Sequence, residues 1–99
     1  MKILEVQKEI KEHQLGKDRL EELHTMLSSY LSELQQYKAT LEKEEAIFMG
    51  GKSQDETVAN RKVFWKASEN GQKLIGVKGE IEAVKPLISS VKSRLYTIY

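Results

Sequence analysis

The chain contains no cysteine, a single proline and no long hydrophobic run. Without cysteine it can form neither a disulfide bond nor a thiolate metal site. The first residues alternate charged with single apolar side chains, so we expect no secretion signal and no membrane span. Aromatic residues make up 7% and charged residues 31% of the 99 residues, which is typical of long solvated helices. These features favour an all-α protein, and we expect it to be cytoplasmic.

An apolar heptad seam occupies the last quarter of the chain. Its members are spaced alternately three and four residues apart, which puts them on one stripe of an α-helix. The seam consists of Leu74, Val77, Ile81, Val84, Ile88, Val91, Leu95 and Ile98. Such a stripe is stable only when other helices cover it. Because a chain of this length buries little surface alone, we predict a helical bundle that assembles as a homo-oligomer and uses this seam as an interface.

A turn near the midpoint divides the chain into two helical halves. Gly50 and Gly51 are typical of the end of a helix. Ser53, followed three residues later by Glu56, has the form of a capping box that starts the next helix. We therefore predict a turn over residues 49–53.

The two halves are predicted to fold back on each other as one domain over residues 1–99. Helix 1 is expected over about residues 2–48, with a possible break or a separate N-terminal helix at Gly16, where two apolar registers are out of phase. Helix 2 is expected over about residues 54–98, with a possible kink at Pro86 on the side opposite the seam. The result is a long antiparallel helical hairpin, or coiled coil.

Two further features of these helices are open to test. Gly76 and Gly79 lie inside the seam helix, and each lowers helix propensity by about 1 kcal/mol relative to alanine. Close approach of another helix is the expected reason for both. Tyr30 and Tyr37 share the helix 1 seam with leucines, so we expect both tyrosines in the core.

Charge is distributed unevenly along the chain. Residues 1–57 carry 8 basic and 12 acidic side chains, whereas residues 58–99 carry 8 basic and 3 acidic ones. From Lys85 onward there is no acidic residue at all. The second half is therefore the half that can meet phosphate groups.

Basic residues of the second half form two sets. Lys78, Lys85 and Lys92 repeat every seven residues beside the seam, with Lys73 and Arg94 on its other side. Lysines spaced along a rod can follow a nucleic-acid backbone. The alternative is that their stems cover the core and their heads pair with acids of the facing helix.

The other set is aromatic as well as basic. Arg61, Lys62 and Lys66 surround Phe64 and Trp65. Aromatic side chains close to cations can stack on unpaired bases. Phe64 and Trp65 are adjacent and cannot both point into one seam, so one of them is expected to face a partner subunit, a partner protein or a base.

Catalytic and metal chemistry find no support in the sequence. His13 and His24 are about 16 Å apart along one helix, too far to bind one metal together. No nucleophile, base and orienting group form a recognisable set. We therefore expect no enzyme activity, no cofactor and no small-molecule substrate.

The segment from Glu44 to Ser53, the residues 57–62 and the ending from Val91 to Tyr96 together resemble small phage recombination-mediator proteins of the UvsY type. The similarity extends over roughly residues 41–98. It consists of a helix that ends before a glycine-polar turn, a basic start to the second helix and a Lys-Ser-Arg ending.

This resemblance implies a helical protein that forms oligomers, binds single-stranded DNA and helps to load a recombinase. The DNA-contacting positions that it implies are Lys52, Arg61, Lys62, Lys92 and Arg94. Together with Lys66 and Lys85, these form our candidate nucleic-acid interface. The leading hypothesis is a single-stranded DNA-binding accessory protein of phage recombination or replication. A protein-binding adaptor or inhibitor anchored by Phe64 and Trp65 is the first alternative, and a structural coiled-coil subunit is the second.

Overall fold

The computed structural model describes residues 2–98, except for the side chain of Ile98, so this seam position lies outside the described side chains. The described residues form helices and no β-strand, which confirms the all-α prediction. Four helices follow one another: α1 (Ile3–Glu12), α2 (Lys17–Gly50), α3 (Val58–Ala67) and α4 (Glu69–Ile98).

The long pair α2 and α4 is the body of the molecule. The Tyr30 hydroxyl donates to Glu80 Oε2 at 2.8 Å, and the Asn70 side chain donates to Glu44 Oε2 at 2.7 Å, so the two helices run antiparallel. Their facing leucines and valines are buried between them. The resulting molecule is elongated, with extents of 61 × 20 × 18 Å.

The predicted break near Gly16 is confirmed. The backbone is extended at His13 and Gly16, between the end of α1 and the start of α2. The helix α1 then packs beside the α2–α4 pair, where Val6 and Ile10 are buried. The Arg19 guanidinium holds α1 against α2 by donating from Nε and Nη2 to the Glu9 carboxylate at 3.0 and 2.8 Å.

The second half begins later than predicted. Its first helix starts at Val58, where the Thr57 side chain accepts a hydrogen bond from the Asn60 N–H at 3.1 Å. Ser53 and Glu56 are hydrogen-bonded to each other, but they close a turn in the connection and do not cap a helix. Thr57 caps α3 instead, because its side-chain oxygen accepts a hydrogen bond from an otherwise unpaired N–H in the first turn of that helix.

The second half is also divided in two, which the prediction of one helix over 54–98 did not include. Ser68 has an extended backbone (φ −73°, ψ 161°) and ends α3. Its Oγ accepts a hydrogen bond from the Gly71 N–H at 3.1 Å, so the same residue caps the start of α4. By accepting this hydrogen bond from an otherwise unpaired N–H, the serine side chain stabilises the sharp bend between α3 and α4.

Two glycines of α4 differ from their expected role, whereas Pro86 lies on the side opposite the seam, as expected. The helix α4 continues through Pro86, which lies exposed on the side away from the core. Gly76 and Gly79 are also exposed, and a Cβ added at either would meet nothing within 4 Å. The expectation of close helix approach at these two glycines is therefore wrong, because that side of α4 is open.

Candidate nucleic-acid interface

Arg61, predicted to contact DNA, is held by the chain itself. Its Nε donates to the Phe48 carbonyl at 2.9 Å, and its guanidinium carbon lies 3.8 Å from the centroid of the Phe48 ring. Its Nη1 is 3.4 Å from Glu56 Oε2. The partly buried guanidinium fixes α3 to the end of α2, since both its charge and its planar face are engaged.

Lys52 is engaged in a similar way, although it is exposed. Its Nζ donates to the carbonyls of Glu56 at 2.8 Å and of Ser53 at 3.4 Å. The ammonium group therefore closes the connection between α2 and α3. The structure gives Lys52 and Arg61 intramolecular partners that compete with any phosphate.

The two adjacent aromatics point in different directions, as their spacing requires. Trp65 is only 5% exposed, and its ring centroid lies 5.6 Å from that of Phe48. Phe64 is 58% exposed. The role of Trp65 as an anchor for a partner is therefore wrong for this fold, because the side chain is in the core, and Phe64 is the outward member of the pair.

Lys62 and Lys66 are exposed on α3, four residues apart and hence on one side of that helix. Neither makes an ion pair with a carboxylate of the described residues. Both remain available to an external anion.

The α4 seam is covered within the chain. Its members Leu74, Val77, Ile81, Val84 and Val91 are buried, and Ile88 and Leu95 are partly buried. They pack against α2 and α1. The seam positions therefore form an intramolecular interface and leave no open apolar stripe for a second copy along the described part of the seam.

Three lysines of α4 form what we call the lysine row: Lys78, Lys85 and Lys92. All are exposed. Seven-residue spacing places neighbouring members about 10 Å apart along the helix. None of the three makes an ion pair within residues 2–98, so the alternative in which acids of the facing helix neutralise them is wrong. Lys73, by contrast, forms an ion pair with Glu69, with 3.3 Å between Nζ and Oε1.

An exposed aromatic stands at the end of the lysine row. Tyr96 is 71% exposed, and Lys92 Nζ lies 6.0 Å from the centroid of its ring. A tyrosine face beside a free ammonium group can stack on a base while the cation binds the neighbouring phosphate. In the sequence, Lys92 and Tyr96 are simply two residues four positions apart in a predicted helix.

Arg94 does not belong to the lysine row. It lies two positions after Lys92, which is about 200° around an α-helix. Its side chain lines a cavity together with residues of α1 and of the α1–α2 connection. The predicted set that joined Lys92 and Arg94 is therefore divided between two faces of the molecule, a division that depends on where α1 packs.

The two tyrosines of helix 1 have different environments. Tyr30 is partly buried, and both its burial and its hydrogen bond to Glu80 raise its pKa above the ordinary value. Tyr37 is 43% exposed. The expectation of a core position is therefore wrong for Tyr37.

Comparisons with known proteins add no assignment. No protein-family model matches the chain, and neither a curated protein nor a solved structure shows significant similarity to it. The resemblance to recombination mediators stays a prediction. Across residues 2–98 no helix combines the length and the apolar character needed to cross a membrane, and no three metal-binding side chains in that range are grouped for an ion.

Proposed function

We propose that the protein is a non-enzymatic, single-stranded DNA-binding accessory protein that contacts the DNA through the lysine row. The observation that carries the proposal is that Lys78, Lys85 and Lys92 are exposed on one side of α4 without an acidic partner in the described chain. Three such cations span about 20 Å of a helix. They can neutralise phosphates and release the counterions that surround a strand.

Preference for a single strand is supported by the exposed ring of Tyr96. A duplex hides the faces of its bases, whereas an unpaired base can stack on a tyrosine. Lys92 lies beside this ring, so one nucleotide can meet both groups. A role in recombination or replication, with a recombinase as partner, rests on the family resemblance alone.

The test is the salt dependence of binding to a labelled single strand. Three phosphate contacts give a slope of log K against log salt of about −2, or roughly a 20-fold loss between about 50 and 200 mM salt. The neutral substitution Lys85→Gln should weaken binding and make that slope shallower by about 0.7. A duplex of the same sequence should bind more weakly.

The matched control is Lys43→Gln, at an exposed lysine on α2. It removes the same charge from the chain without touching the lysine row. Equal losses in both variants would mean that only net charge matters, and the proposal would fail. Absence of binding at about 50 mM salt would also overturn it.

A second candidate function is favoured by the outer side of α3. Val63 and Phe64 are 63% and 58% exposed there, beside the free cations Lys62 and Lys66. Exposed aromatic side chains are typical anchors of protein interfaces. If DNA binding is absent and sedimentation shows a mass that rises with concentration in the wild type but not in Phe64→Ser, α3 is a protein-binding surface that joins copies of this chain.

A further inference from the structure

A cavity of about 460 Å³ lies where the α1–α2 connection meets the last turns of α4. Its charged and polar lining includes Lys11, Glu12, His13 and Arg94. Leu15 and Leu20 supply apolar surface. Residues nearly 80 positions apart in the sequence thus come together in one concave site.

Arg94 is the exceptional member of this lining. It is partly buried, yet it makes no hydrogen bond or ion pair with another residue of the described chain. Glu12 lines the same cavity but is not within ion-pairing distance. Partial removal of a guanidinium from water is unfavourable without a counter-charge. The structure therefore leaves this cation without a charged partner in the described chain.

The charge and shape of the cavity limit what this partner can be. Lys11 and Arg94 contribute two positive charges against one negative charge from Glu12. A volume of about 460 Å³ lies in the range that accommodates an organic ligand and exceeds the needs of a bare ion. Leu15 and Leu20 offer an apolar wall for the organic portion.

We propose that this cavity binds a phosphomonoester. The phosphate group accepts hydrogen bonds from Arg94 and Lys11, since the guanidinium fork suits two phosphate oxygens and the ammonium binds as a point charge. The organic portion of the ligand packs on Leu15 and Leu20. A phosphate ester presents three terminal oxygens to the two cations, whereas a carboxylate presents two. The site lies on a different side of α4 from the lysine row and does not depend on the proposed DNA binding.

The test is an NMR titration of the full chain with inorganic phosphate and with phenyl phosphate at about pH 7.5, above the second pKa of a phosphomonoester. Sodium chloride at matched ionic strength is the control for screening. We expect saturable shifts of the His13 ring and the Lys11 amide, with tighter binding of phenyl phosphate. His24, which lies on α2 outside the cavity lining, provides an internal reference that stays unchanged.

Arg94→Gln should weaken phenyl phosphate binding at least about tenfold, since it removes a charge-assisted bidentate contact. Lys92→Gln is the matched control, because it removes a cation two residues away on a different face. The proposal is overturned if sodium chloride reproduces the shifts or if Arg94→Gln binds as tightly as the wild type. If Arg94→Gln lowers the melting temperature, Lys11→Gln replaces it with the same expected loss.

The phosphate can come from a free small molecule or from the end of a nucleic-acid strand. Two oligonucleotides that differ only in a 5′-phosphate separate these sources. Preference for the phosphorylated strand that Arg94→Gln abolishes identifies a strand end. Equal affinity for both strands, together with saturable phenyl phosphate binding, identifies a free phosphomonoester. Failure of the lysine row in DNA binding would leave the phenyl phosphate titration unaffected.

Discussion

Gly71 is the position at which the packing leaves no room for a side chain. It is buried in the first turn of α4, beneath the end of α3. A Cβ at this site would lie 1.7 Å from the Trp65 carbonyl oxygen and 2.7 Å from its carbon. Because both atoms belong to the backbone, relief requires movement of α3 against α4. Close approach of two helices thus depends on a glycine here.

Gly71→Ala should therefore destabilise the protein by about 1–3 kcal/mol, the cost typical of an overpacked site. Gly76→Ala and Gly79→Ala are the matched controls, because a Cβ at either position meets open space. Each of them should stabilise the protein by up to about 1 kcal/mol through better helix propensity. Urea denaturation followed by circular dichroism measures all three. Equal effects at the three glycines would contradict this account of Gly71.

The sequence alone does not separate these glycines. All three interrupt a helix-favouring tract, and the same argument of close approach applies to each of them. Close approach is predicted for Gly76 and Gly79 and is wrong for both, whereas it occurs at Gly71, for which it is not predicted, since the position of α3 decides which side of α4 is covered. Propensity describes a residue within its own helix and carries no information about the neighbouring one.

The short helix α3 is attached to the hairpin through few contacts. Arg61 lies over the Phe48 ring and donates to the Phe48 carbonyl, while Trp65 packs on the same ring. Removal of the guanidinium loses a hydrogen bond, a cation–π contact and the contact with Glu56 together. Such an element is expected to open without unfolding of the long helix pair.

We expect Arg61→Ala to release α3 from the end of α2. The emission of Trp65, the only tryptophan, should shift to longer wavelength under native conditions, while most of the helical circular dichroism is retained. Lys62→Ala, at the exposed next residue, is the control and should leave the emission unchanged. An unchanged spectrum in Arg61→Ala would show that Trp65 packing alone holds α3, and Arg61 would again be a candidate for DNA contact.

At this scale the sequence predicts long helices well and short ones poorly. Apolar spacing identified the stripes of α2 and α4, and a change of register located the break near Gly16. Asn70 and Gly71 mark an interruption just before the seam, but the sequence does not predict the bend at Ser68 itself. Its cause is a hydrogen bond from the Gly71 N–H to a serine side chain, and a serine in the sequence does not by itself show whether it caps a helix or lies within one.

The whole molecule is a rod with a different attachment at each end. Its radius of gyration is 18.4 Å, against about 13 Å for a compact domain of this length. The helix α1 widens one end into three helices, and α3 covers the other end. Only α2 and α4 connect the two, so each attachment contacts its own section of the pair.

This arrangement also separates the two proposed binding regions, and the sequence could not show it. Lys92 and Arg94 are almost neighbours in the sequence and both are free of acidic partners. The packing of α1 against one side of α4 places Arg94 in a cavity and leaves Lys92 in the open. Function at this scale depends on which side of a helix a third element covers.

The rod shape leads to a prediction about energetic coupling along the molecule. Ile10 lies next to Glu9, whose carboxylate accepts a hydrogen bond from Arg19 near the start of α2. Trp65 packs on Phe48, near the other end of α2. Positions 19 and 48 are about 43 Å apart along α2. Ile10→Val and Trp65→Phe should therefore destabilise additively, with a coupling below about 0.5 kcal/mol in a denaturation double-mutant cycle.

The matched double-mutant cycle combines Trp65→Phe with Phe48→Leu, because the rings of Trp65 and Phe48 are in contact in the wild type. Its coupling should exceed about 0.5 kcal/mol, because each substitution changes the surface against which the other residue packs. A coupling above about 0.5 kcal/mol in the cycle of Ile10→Val and Trp65→Phe would mean that α2 and α4 transmit strain along their whole length. The attachments at the two ends would then act as one unit, and a ligand bound in the Arg94 cavity would alter the docking of α3.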